Sequence, residues 1–418
     1  MHDSLASRLP SFPVDCALSN EFRLAAACSW IAPEPLRMLQ DKRIASLCNA
    51  EIDWDAFLGL VDRHGIPVQA LTVLRRCLGE GMAVRLHREL KDRGRRVAVR
   101  STVQTAELVR LNRLLRAQGI EIIPLKGICL SQRLYGTPGV RSSGDLDILV
   151  RPEQFADADR LLTASGYLKI YNLTERQTAA FIAYGYHMVY RHEHRGGRLE
   201  LHWRSHFWTS GEAEEFWRRR ETMAMMGESF SCLDDLSLFL FLCDHGSKHS
   251  WLSLKWLGDM AMMLCDEHMR DWERVLALAD RLGLRRVVTQ TTLLVHWVYG
   301  LPLPLLVSEL VSGEKTAPGL ARYAVAALLA GADEHRTAGR KMGRLRRAAY
   351  LKRTKPHLSF KLLLKDSYLC VTDYVTFPLP DRLFWMYVPL RPFFWFWRHY
   401  GGNFFARLRS RDKAAEQT

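Results

Sequence analysis

The chain has 418 residues, 48% hydrophobic and 25% charged, and its 59 Lys and Arg against 45 Asp and Glu give a formal net charge of +14. The length exceeds what one core takes and predicts two or three domains, while the composition excludes a fibrous or low-complexity chain. The basic excess excludes nothing about fold but favours polyanionic partners: nucleic acid, nucleotides or anionic lipid.

The nine cysteines are scattered and form no C-x-x-C pair. That argues against a zinc or disulfide framework and for reduced thiols in a cytoplasmic protein. Met1-His2-Asp3-Ser4 starts no basic-then-apolar leader, so no secretory signal is expected. No stretch reaches the roughly 18–20 uninterrupted apolar residues that span a bilayer.

Residues 1–20 read as a short lead-in. From 20 to 118 the periodicity is helical. Trp54, Phe57, Leu58 and Val61 recur at spacings of three and four, and Val103, Leu108, Leu111, Leu114 and Leu115 mark another helix, stopped at Gly119. A short β-rich run, Ile120 to Leu125, follows and ends at Lys126-Gly127. The spacing then predicts a helix through Ile128, Leu130, Leu134 and Tyr135, broken at Gly136, and a strand over Asp145–Val150. Pro152 opens a helix striped by Phe155, Ala158, Leu161 and Leu162. Tyr186 to His192 and Arg198 to Arg204, joined through Gly196-Gly197, read as a hairpin with Leu199, Leu201 and Trp203 on one face and Glu200, His202 and Arg204 on the other. After about 212 the chain reads as helical again, with helices at Leu236–Asp244, Leu252–Asp266 and Trp272–Leu282. Residues 313–356 are basic and helix-biased. The last segment, from Phe377 to Phe405, mixes aromatics, prolines and arginines.

The most informative stretch is Asp145-Leu146-Asp147-Ile148. Alternate side chains of a strand share a face, so Asp145 and Asp147 project together while Leu146, Ile148 and Val150 enter a core. Two carboxylates this close repel unless something positive lies between them. A divalent cation with oxygen ligands, magnesium in particular, meets that need and commonly also grips phosphates. His245 and His249 share a helix face at i, i+4, but Gly246 and Ser247 replace the glutamate position of H-E-x-x-H and its neighbour, and no third ligand is apparent, so zinc is not expected. Asp259 lies four residues after Lys255, as in a helical ion pair.

In the C-terminal segment, Phe384, Trp385, Phe393, Phe394, Trp395, Phe396 and Trp397 are surrounded by Arg382, Arg391, Arg398, Arg407, Arg409 and Arg411. Residues 377–411 thus suit an anionic membrane surface or a protein partner, or pack over the helical domain. Pro389 and Pro392 are expected to break any continuous helix there. No RNA-binding motif is present.

The ordered set Leu125-Lys126-Gly127, Tyr135, Arg141, Asp145-Leu146-Asp147, Glu200-Leu201-His202 and His245-x-x-x-His249 resembles the bacterial family of uncharacterised nucleotidyltransferases, within the DNA polymerase beta-type superfamily. The resemblance covers roughly residues 25 to 270. It implies an α+β fold: a small mixed-sheet core flanked by N-terminal and C-terminal helical regions. Its expected divisions are 1–100 helical, 101–210 nucleotidyltransferase core, 211–312 a helical domain closing on the nucleotide, and 313–418 a basic, aromatic-rich extension. The activity implied is transfer of a nucleoside monophosphate from a triphosphate, ATP being expected, to a hydroxyl of an unidentified small molecule, peptide or protein. Asp145, Asp147 and Glu200 would hold two magnesium ions, Glu200 as ligand or base. Lys126, Gly127, Arg141, Ser143, Lys248 and Lys255 would bind the nucleotide and its phosphates, and His202 and His249 would orient the acceptor. Unlike the superfamily, Ile128 follows Gly127 where serine is usual, so the hydroxyl contact to phosphate is either absent or supplied from elsewhere, as by Ser142 or Ser143. The rival reading is a catalytically degenerate relative that binds RNA or an anionic membrane.

Overall fold

A computed structural model describes residue 12 and residues 18–195, 197–204, 210–313, 316–337, 349–354 and 371–397. Helices Asn20–Ala27, Glu34–Cys48, Trp54–His64 and Pro67–Leu78 come first. Their ends follow from local chemistry. The Asp53 carboxylate accepts from the backbone N–H groups of Asp55 and Ala56, and Gly65 closes the same helix at φ +66°. Phe57, Leu58 and Val61 are buried as the spacing requires, with Trp54 half-buried. The next helix, Val84–Arg116, is 33 residues long and crosses the expected boundary at residue 100 without a break. Val103, expected on its apolar stripe, is 45% exposed.

Five strands form a mixed sheet in the order β1-β2-β5-β4-β3. They are β1 (Ile123–Pro124), β2 (Asp145–Leu149), β3 (Leu168–Lys169), β4 (His187–His192) and β5 (Gly197–His202). The expected 120–125 strand is thus cut to two paired residues. β2 and β5 run parallel; the other neighbours are antiparallel. The intervening helices, Ile128–Tyr135 and Phe155–Ala164, stand where the sequence puts them, and Gly136 ends the first at φ +72°. The expectation of an all-helical chain after 212 is corrected by a second hairpin, β6 (Glu221–Met225) with β7 (Glu228–Cys232). Its turn places Met226 and Gly227 at φ 52° and 76°, the positive pair a two-residue hairpin loop needs. A methionine there hides the signal that Asn-Gly would give. Helices Asp235–Lys248, Leu254–Leu264 and Trp272–Arg281 then appear close to their expected positions.

Two cores organise these elements. Around the sheet, Leu146, Ile148, Val150, Leu199, Leu201 and Trp203 pack with Leu108, Leu111, Leu115 and Phe155. A larger, helical core joins Phe22, Phe57, Val73 and Leu90 to Phe239, Leu257, Leu293 and Leu328, so the stretches expected as separate helical regions share one buried cluster. Gly258 lets these helices touch, since a Cβ there would lie 2.4 Å from the Ser29 carbonyl oxygen. The Val84–Arg116 helix feeds Leu86 and Leu90 into this core and Leu108 to Leu115 into the other.

The C-terminal aromatic segment corrects a second expectation. Helix Tyr387–Phe396 runs through Pro392. Pro389 is its third residue, where an N–H has no intrahelical partner anyway, and Pro392 sacrifices one hydrogen bond. Among the described residues no helix is long and apolar enough to cross a membrane. Arg398, Arg407, Arg409 and Arg411 lie outside the described residues, as do 314–315, 338–348 and 355–356 of the basic stretch.

Candidate active site

The parallel pairing of β2 with β5 sets Asp145 beside Arg198 and Asp147 beside Glu200, and places Leu149 beside His202. Because side chains alternate, Asp145, Asp147, Arg198, Glu200 and His202 all leave the sheet on the side opposite its apolar core. The hairpin register adds His187 beside His202, their rings stacked at 5.1 Å. This acidic strip floors a cleft of about 540 Å3. The opposite wall comes from Asp235–Lys248 and Leu254–Leu264, which contribute Phe241, Asp244, His245, Lys248, Lys255 and Trp256, with His249 between them.

The positive group required between the aspartates is Lys126, delivered by the loop after β1. Its ammonium lies 3.2 Å from Asp147 Oδ2 and 3.8 Å from Asp145 Oδ1. His202 Nε2 donates to Asp147 Oδ1 at 3.2 Å and lies 3.5 Å from Glu200 Oε2. Arg198 Nη2 pairs with Glu200 Oε1 at 2.7 Å. These contacts set the charges. Burial, then Asp147, raises the Asp145 carboxyl above its ordinary value. Burial also opposes ionisation of Asp147, but Lys126 and His202 outweigh it. Glu200 is likewise held far below the usual carboxylate range by His202, His187 and Lys126 despite its burial. Burial depresses His202, but its bonds to Asp147 and Glu200 win and raise it. His187, buried beside His202, is pushed down to about 3.

Gly127 caps helix Ile128–Tyr135 at φ +70°, and a Cβ there would stand 3.0 Å from Ser143 Oγ. Only glycine combines that backbone with that approach. Both candidate serines donate to carbonyls: Ser143 to Asp145 at 2.8 Å and Ser142 to Gly65 at 2.9 Å. Arg141 is buried and donates Nε to Asp259 Oδ2 at 2.8 Å. Asp259 is therefore the partner of Arg141, 118 residues away in the chain, and the Lys255 ammonium instead donates to the Ser142 carbonyl at 2.9 Å. Burial, with Arg141 nearby, pushes Lys255 down to about 7; burial brings Lys248 to about 8. Lys248 donates to the Tyr186 hydroxyl at 2.9 Å and lies over that ring.

His245 and His249 pack ring to ring at 4.7 Å, each against Trp256. Burial, then Lys126, holds His245 well below its ordinary value. Gly246, which breaks the zinc motif, is required sterically: a Cβ there would sit 2.4 Å from the Trp251 ring. Ser250 and Trp251 form the turn at φ 54° and 55°.

Period-two alternation is enough to find Arg198, and pairing across Gly196-Gly197 enough to find His187. Nothing local announces Tyr186 or Trp256. Among the described residues, the group with potential metal-ligand atoms within 4.8 Å of one another is Asp147, Glu200 and His202. Asp147 Oδ2 is buried in its ion pair with Lys126, and the potential metal ligands are carboxylates and an imidazole. Such a set, with Asp145 adjacent, fits a divalent cation.

The fold is thus an α+β protein whose small mixed sheet presents acids to a lysine-bearing helical wall. Residues 50–300 match the family described as uncharacterised nucleotidyltransferase, and the chain belongs to that family. No curated protein and no solved structure matches it.

Proposed function

We propose that the chain is a metal-dependent nucleotidyltransferase of the DNA polymerase beta-type superfamily, acting in the cytoplasm. It moves a nucleoside monophosphate from a triphosphate, ATP first among them, to a hydroxyl of a small molecule, peptide or protein. The acceptor oxygen bonds to the α-phosphorus, the bond to the bridging oxygen breaks, pyrophosphate leaves, and the hydroxyl proton passes to solvent or a cleft base. The carrying observation is that Asp145 and Asp147 of β2 share a sheet face with Glu200 of β5, across a cleft from Lys248 and Lys255.

Asp145, Asp147 and Glu200 would hold magnesium, as two ions, which supplies the charge that stabilises attacking and leaving oxygens in an in-line displacement. Glu200, kept ionised by its histidine and lysine neighbours, suits a ligand better than a base. Lys248 and Lys255 meet the phosphates from the helical wall, and the backbone at Gly127 allows close approach. Lys126 balances the aspartates and is near enough to share phosphate charge. Arg141, bound to Asp259, positions the 141–145 loop. His202 bridges the acids, and His249 lines the acceptor side of the cleft.

The test is incubation with each α-phosphate-labelled triphosphate, magnesium and cell extract, followed by mass analysis of what gains a nucleotide. Asp145→Ala and Asp147→Ala should each remove transfer by at least about a hundredfold. Transfer unchanged in both would sink the assignment.

A further inference from the structure

Surface helices normally turn polar residues to solvent; helix Tyr387–Phe396 does the reverse. Its inner face is packed. Tyr387 and Phe394 are buried with Tyr374 against Leu173, Phe377 and Leu379, and the Tyr387 hydroxyl donates to the Phe377 carbonyl at 2.8 Å. Arg391 is turned back toward Asp373, at 3.5 Å. Its outer face carries Val388, Pro389, Pro392, Phe393, Trp395 and Phe396, with no charged side chain among them. Phe393 is 54% exposed and Phe396 55%, and Trp385 in the preceding turn reaches 60%.

This is an anchored platform. Thr174 Oγ1 donates to Asp381 Oδ1 at 2.6 Å, Arg176 Nη1 donates to the Asp381 carbonyl at 3.1 Å, and the Arg176 guanidinium lies over the Phe384 ring. The chain's charge is concentrated in the same part of the sequence. Residues 338–418 hold seventeen Lys and Arg against five acids, whereas residues 1–337 hold forty-two against forty.

We propose that this platform docks the protein on an anionic lipid bilayer, its rings entering the boundary between headgroups and acyl chains, an occupant that the basic excess of the 338–418 sequence favours. Ten helical residues extend only about 15 Å, so the helix lies in the interface and does not cross it. Two copies meeting through these rings would bring two strongly basic segments together. A nucleic-acid surface calls for basic side chains interleaved with the rings, and Arg391 points inward. The proposal does not depend on nucleotidyl transfer.

The test uses the full chain and a Trp385→Ser/Phe393→Ser variant, whose melting should match wild type because both rings are exposed. Each is sedimented with vesicles of phosphatidylcholine alone or with roughly a third phosphatidylglycerol. Wild type should partition onto the anionic vesicles, less so at high salt, with tryptophan fluorescence quenched by brominated lipid; the variant should bind at least about tenfold more weakly and lose most of the quenching. Three results overturn the proposal: no wild-type binding to anionic vesicles, equal binding and quenching in the variant, or ring loss that turns a dimer into a monomer while vesicle binding persists.

Discussion

Arg141 and Asp259 are both almost wholly buried, and their 2.8 Å contact ties the loop before β2 to the helical wall. Removing one partner strands the other charge, so Arg141→Met or Asp259→Asn should each cost about 3–5 kcal/mol in urea unfolding, and Arg141→Met with Asp259→Leu much less than the sum. Lys255 makes a pH prediction. Its value is about 7 in the fold, held down by burial, against 10.5 ordinarily. Above pH 10.5 it is neutral in both states and costs nothing; as pH falls toward 7 only the unfolded chain takes the proton, so stability drops, and below 7 the loss is complete. Wild type should therefore gain stability relative to Lys255→Met as pH rises from 7 to 10, by up to about 1.4 kcal/mol per pH unit, measured as the difference between the two proteins. Gly246→Ala drives a methyl into the Trp251 ring and should cost about 1–3 kcal/mol, read as a lower melting temperature.

At the scale of elements, the alternating pattern of β2 and β5 was readable because it is local: the strand period alone decides that Asp145 and Asp147, or Glu200 and His202, share a face. The β6–β7 hairpin was not, because Met226 occupies a left-handed turn position without the residue type that advertises one. Met226→Asn should relieve that turn and stabilise the protein by about 0.5–1 kcal/mol in urea unfolding; a loss of stability would show that the exposed methionine packs usefully. The Tyr387–Phe396 helix escaped for another reason. Proline rules penalise helix interiors, but burial of Tyr387 and Phe394 outweighs the one bond lost at Pro392.

Across the whole molecule, the helical core draws on residues from Phe22 to Leu328. Helices before residue 100 should therefore not be dispensable. A chain beginning at residue 101 should lose cooperative thermal unfolding and bind a hydrophobic dye, although it retains Asp145, Asp147 and Glu200. The sequence by itself determined β2, β4 and β5, the helices that follow β1 and β2, and which side chains share a strand face, because these follow from spacings of two, three and four residues and from nearby turn residues. Only the tertiary structure decided that β5 lies parallel to β2 with Glu200 beside Asp147, that Lys126 sits between the aspartates, and that Arg141 takes Asp259 rather than leaving it to Lys255. Those pairings span from about 20 to 118 residues, and which charges meet over such separations is fixed by how the two cores pack together, a property no local pattern encodes.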